Sequence, residues 1–133
     1  MPDTARANLP RINGAYVMFY YHDMAQAARW YADVVGLEPW MTAPGLALFR
    51  LNAGACLALV QDGSGSQRAI EGANKGAILS IETDALEAWH ARLFAQGVEG
   101  TGHGLQVGCD GMTIEFKVRD PGGYTVEFFE WIE

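Results

Sequence analysis

The chain has 133 residues, half of them apolar and 19% charged, with a formal net charge of −7. A chain of this size buries roughly two-thirds of its unfolded surface, enough for one compact domain. No apolar run approaches the ~20 residues of a membrane-spanning helix, and nine scattered Lys and Arg residues offer no grip on nucleic-acid phosphates.

Residues 1–11 read as a flexible N-terminal arm, too polar for a signal peptide, and a cytoplasmic location is expected. The run Tyr16-Val17-Met18-Phe19-Tyr20-Tyr21 then reads as a strand. Asp23 follows and is placed to cap a helix over 23–36, with Gln26 three residues on to complete a capping box. Met24, Ala27, Ala28, Tyr31 and Val35 form the apolar stripe of that helix, and Gly36 is suited to end it in the left-handed conformation. Leu37 leads into short strands, among them Leu48-Phe49-Arg50-Leu51 and the segment ending Ala58-Leu59-Val60. A polar connection opens at Gln61-Asp62-Gly63-Ser64-Gly65 and runs to Lys75.

The same order then recurs. Ala77-Ile78-Leu79-Ser80-Ile81-Glu82 reads as a strand. Asp84 with Glu87 predicts a second capped helix over 84–97, with Leu86, Trp89 and Leu93 as its stripe and Gly97 at its end. Asp23 to Gly36 and Asp84 to Gly97 each span thirteen positions, so the repeat offset reads as 61 residues. Two copies of such a unit suggest two βαβββ modules, about 12–62 and 75–132, in an α+β domain covering 12–133. The glycine-rich stretch 97–111 lacks the strand, helix and Lys-Ser/Thr context of a phosphate loop and reads as connection plus a short strand.

The chain closes on two strands joined by Asp120-Pro121-Gly122-Gly123. Pro121 presets one turn dihedral, and Gly122 or Gly123 supplies the positive φ. Past the turn, Thr125, Glu127, Phe129 and Trp131 share one strand face, and Val126 and Phe128 share the other. A carboxylate among aromatic neighbours needs a partner, whether a metal, a donor or a ligand.

This ending resembles the vicinal oxygen chelate superfamily of glyoxalases, bleomycin resistance proteins and extradiol dioxygenases, whose last hairpin carries a D-P-x-G-x-x-x-E pattern. The resemblance implies two βαβββ modules with curved mixed sheets around a cleft, and a homodimer with clefts built from paired modules. In metal-dependent relatives four strand positions, two per module, hold one metal. The repeat places those positions at Tyr16, Ala58, Ala77 and Glu127. Alanine coordinates nothing, neutral tyrosine is a poor ligand, and a catalytic site needs roughly three protein ligands. The expectation is therefore no metal and no other cofactor. His22, His90 and His103 share no helix-face or strand-face spacing; His103, in a loop, is the best placed of the three for function. Cys56 and Cys109 show no metal-ligand spacing and are expected as free thiols.

The ligand-binding residues expected on the inward faces are Tyr16, Met18, Tyr20, Arg50, Ala58, Ala77, Glu127 and Phe129, with Leu79 beside them. Alanines leave room where ligands would stand, and tyrosines offer flat area plus a hydroxyl. Glu127 would meet Tyr16, Arg50 or a cationic ligand. Three functions stay open: a metal-free protein sequestering a flat aromatic or cationic compound, a lyase, isomerase or dioxygenase with displaced or no metal, and an accessory domain with no ligand. Trp30, Trp40 and Trp131 add apolar surface that favours an interface between copies.

Overall fold

The computed structural model describes residues 8–133. The expected arm over 1–11 lies partly outside them, and residues 8–14 are exposed and belong to no helix or strand. Module one contains β1 (Ala15–Tyr21), α1 (Met24–Arg29) continuing as a π-helical run (Trp30–Val35), β2 (Glu38–Ala43), β3 (Leu46–Asn52) and β4 (Ala55–Gln61). Module two contains β5 (Ile78–Glu82), α2 (Leu86–Ala95), β6 (Gln106–Gly108), β7 (Thr113–Arg119) and β8 (Thr125–Trp131). Each module forms a four-stranded mixed sheet with the same order, β1-β4-β3-β2 and β5-β8-β7-β6. The first and last strands of each module pair in parallel and the others antiparallel. The protein is α+β, built from two open sheets.

The first helix starts as its sequence dictates. Asp23 Oδ1 accepts from the Gln26 amide at 3.1 Å, which satisfies one of the orphan donors of the first turn. The helix then widens, and both Gly36 and Leu37 bond back to the Tyr31 carbonyl. Gly36 sits at φ 91°, the left-handed ending expected of it. The second helix departs from expectation. Its N-cap is Ala85, whose side chain cannot cap, and the Ala85 amide is held instead by Thr83 Oγ1 at 3.0 Å. The capping box of Asp84 with Glu87 does not form. The two N-caps, Asp23 and Ala85, are therefore 62 residues apart rather than 61. With Ala58 taken as the counterpart of Glu127, the first strands show the same offset, since Met18 faces Ala58 in one sheet as Ser80 faces Glu127 in the other.

One core serves both modules. Phe19, Tyr21, Tyr31, Phe49, Leu57 and Leu59 from the first join Leu79, Leu93, Phe116, Val126 and Phe128 from the second, on the helix-covered faces of the sheets. Asp120 ties the halves together. Its Oδ2 accepts from Tyr21 at 2.5 Å and Tyr31 at 2.8 Å, while Oδ1 accepts the Gly122 and Tyr124 amides. Arg92 on α2 and Gln96 just past its end add bonds to the Val35 and Val34 carbonyls. Gly123 supplies the positive φ of the turn at 92°, and a Cβ there would lie 2.4 Å from the Gly72 carbonyl oxygen, so only glycine fits.

Candidate functional site

The faces turned away from the helices hold the candidate site. On the first sheet, Tyr16, Met18 and Tyr20 alternate along β1 opposite Cys56, Ala58 and Val60, with Leu48 and Arg50 beyond on β3. Tyr16 is 54% and Met18 51% exposed, whereas Ala58 is 1% exposed and forms a floor rather than an opening. Tyr20 is buried, because Gly65 of the linker lies against its ring; a Cβ on that glycine would come within 2.9 Å of it. The Tyr20 amide and carbonyl both bond to the Tyr124 hydroxyl. Arg50 sets its guanidinium over Trp40, 5.0 Å from the centre of the ring.

On the second sheet the face of Glu127 is polar. The register puts Ser80, Glu127 and Lys117 in one row across β5, β8 and β7, with Phe129 and Glu115 facing each other in the next. Ser80 Oγ donates to Glu127 Oε1 at 2.5 Å, and the Lys117 ammonium lies 3.1 Å from Glu127 Oε2. Lys117 also donates to Glu115 Oε2, and Thr113 Oγ1 donates to Glu115 Oε1 at 2.8 Å. The bond from Lys117, more than any other cause, holds the Glu115 carboxyl below the usual carboxylate range, against the opposing pull of burial. The same contact raises the Lys117 pKa, so the ammonium stays charged. The two carboxylates, at 11% and 13% side-chain exposure, are thus satisfied from within. A cleft of about 410 Å³ opens over this row, lined also by Cys109, Phe129 and Trp131, all from module two.

Two expected positions shift. Ala77 lies just before β5 and is exposed, and Leu79 faces the core at 3% exposure. The cause is the extra residue ahead of α2, which flips strand parity. Ile78 and Ser80 stand where Ala77 and Leu79 were expected. The expected partners of Glu127, Tyr16 and Arg50, are replaced by Lys117 and Ser80. Hairpin register alone would have found Lys117, because Arg119 faces Thr125 across the turn and Lys117 must then face Glu127.

The histidines are dispersed. His22 pairs with Glu71 at the surface. His90 Nε2 donates to the Thr101 carbonyl at 2.8 Å and packs its ring on Phe94 and Phe116. His103 lines a small cavity of about 130 Å³ with Gln106, Glu115 and Lys117. Cys56 is buried and Cys109 exposed, both as free thiols. Among the described residues, no three His, Cys, Asp or Glu side chains gather as metal ligands. With Tyr16, Ala58 and Ile78 at the matching positions and Lys117 against Glu127, the residues present do not fit the family's metal.

Two mixed sheets in this order, each with one helix on its back, define a glyoxalase-like fold. The chain belongs to the Glyoxalase/Bleomycin resistance protein/Dioxygenase superfamily, whose model matches residues 15–128. No curated protein matches it. Among solved structures it is similar to a glyoxalase/bleomycin resistance protein/dioxygenase from Nocardioides, at 20% identity and TM-score 0.76 over 98% of this chain and 91% of that one. TioX from Micromonospora sp. ML1 is 19% identical with TM-score 0.72, over 90% and 98% of the two chains. Lactoylglutathione lyase from Agrobacterium tumefaciens is 23% identical with TM-score 0.68, over 91% and 95%. At these identities the likeness extends to the fold alone.

Proposed function

We propose that the chain is a metal-free binding protein of the bleomycin-resistance type that sequesters a flat aromatic compound, without nucleic acid or membrane partners. The observation that carries this reading is the half-exposed aromatic and thioether surface of Tyr16 and Met18 on the first sheet, while the carboxylate row of the second sheet is closed from within. Such a face offers stacking area and few directed polar groups, the usual makeup of a small-molecule site. A cationic ligand, the other expected class, is less well served, since Glu127 already meets Lys117 and Ser80. A lyase, isomerase or dioxygenase is the second reading; a displaced metal site is not supported, since no three metal-ligating side chains gather among the described residues. We place the working form in the cytoplasm, where both thiols stay reduced, and as a homodimer whose clefts join the first sheet of one copy to the second sheet of another.

A thermal-shift panel of neutral, anionic and cationic flat aromatics tests this. At least one class is expected to raise Tm in a concentration-dependent way. Tyr16→Ala, at an exposed position that leaves the fold intact, should weaken that ligand by about tenfold, the loss of one stacking partner with its buried area. A panel with no response in any class, or a response indifferent to Tyr16, overturns the proposal.

A further inference from the structure

The second sheet sets an ammonium against Glu127, the one position at which the family resemblance expects a metal ligand and this chain has one. Lys117 lies opposite Glu127 in the β7–β8 register, and Glu115 projects from the same face two residues before it. The ammonium bridges the carboxylates, 3.1 Å from Glu127 Oε2 and hydrogen-bonded to Glu115 Oε2. The other two carboxylate oxygens accept from Ser80 and Thr113. All four oxygens are therefore engaged. A divalent ion at Glu127 would have to expel a charge that both carboxylates already hold. An ammonium has three donors, and two are committed to the carboxylates. Lys117, half exposed, lines the cleft of about 410 Å³ beside Phe129 and Trp131, so its third donor has room for a partner there.

We infer that the Lys117 ammonium is a tethered substitute for a divalent cation at Glu127, and that its third N–H is the recognition donor for an oxygen of the ligand. The second half rests on the binding function proposed above. It names the ligand as a flat ring bearing a carbonyl or phenol oxygen. The Glu115–Lys117–Glu127 group keeps one net negative charge, which favours a neutral acceptor over a full anion. A cation, for its part, finds both carboxylates already bridged.

Titrating the intact protein with Mn²⁺, Ni²⁺ and Zn²⁺ tests the substitution without any organic ligand. The wild type is expected to show no calorimetric binding and no Tm shift. Lys117→Ala frees two carboxylates and two hydroxyls and should bind at least one of the ions, with affinity falling about tenfold or more in Lys117→Ala/Glu115→Gln. If Lys117→Ala fails to fold, Lys117→Met keeps the aliphatic stem and removes only the charge. An equal response in wild type and variant, including none in either, overturns the substitution. For the recognition donor, Lys117→Met should cost oxygen-bearing rings from the panel about tenfold, the worth of one hydrogen bond from a charged donor. Their unoxygenated analogues should lose little; an equal loss for both overturns the donor role. If no ring binds at all, the binding function fails while the metal titration still decides the substitution.

Discussion

Asp120, Tyr21 and Tyr31 show how one carboxylate can organise a whole domain. Asp120 is buried, yet four donors reach it, two from its own turn and two tyrosine hydroxyls from module one. Burial first pushes both tyrosine pKa values well above their ordinary range; the Tyr31 phenol and then Asp120 add to it at Tyr21, and Asp120 adds to it at Tyr31. The sign of the linkage follows. In the unfolded chain these phenols ionise near pH ~10, while the folded state keeps them protonated. Their contribution is therefore fully present below pH ~10 and falls as pH rises beyond it, because the unfolded state gains by losing protons. Two of the five tyrosines should thus stay protonated in an alkaline absorbance titration until circular dichroism reports unfolding. Tyr21 and Tyr31 ionising with the fold intact would contradict this. The sequence showed Asp120 as a turn residue only, because its tyrosine partners lie 99 and 89 positions away. Glu127 was legible as a carboxylate in need of a partner. Its Lys117 partner was one register count away, whereas Ser80 was hidden behind the wrong strand parity.

At the scale of elements, the helices were legible because apolar stripes and terminal glycines leave a 3.6-residue signature. Their starts were not equally legible. Asp23 and Asp84 look alike in sequence, yet only Asp23 caps. At the second helix the Thr83 hydroxyl takes the Ala85 amide and moves the first turn one residue on. That single residue decided whether Leu79 or Ser80 faced the site. The consequence is measurable in stability. Asp23→Ala should cost about 0.5–2 kcal/mol through the lost cap, while Asp84→Ala should stay within about 0.5 kcal/mol of wild type. Urea midpoints at constant m separate the two. Equal losses would mean that Asp84 caps in solution. The π-helical turn at Trp30–Val35 had no sequence signal; it lets Trp30 set its ring edge-on against Tyr31, half-buried rather than at the surface. Trp40 and Trp131 do remain exposed.

Across the whole molecule, the Asp120 tie has a geometric consequence. It joins the modules through their helix-covered sides, and the cleft over Glu127 is lined by module two alone. The face of Tyr16 and Met18 belongs to module one, so the two candidate surfaces of a chain lie on different sheets. Tyr16, Met18, Trp40, Met41, Ile78, Trp131 and Ile132 all remain exposed, more large apolar side chains than a solitary surface of this size readily keeps. β1 and β5 are edge strands, and the Tyr124 hydroxyl caps β1 only at Tyr20, toward its end. A twofold axis that sets the Tyr16 face of one copy against the Glu127 face of the other would cover both edges and complete two clefts at once. The expected outcome is a sedimentation mass of twice the chain at micromolar concentration, with a Tm that rises with protein concentration. Met18→Asp, which puts a charge into that interface from an exposed position, should shift the mass toward one chain. The same variant should abolish any ligand-induced Tm rise, since half of each cleft would then be missing. A wild-type mass of one chain would sink the dimer. A monomeric Met18→Asp protein that still bound ligand as tightly as wild type would show that one module suffices for the site.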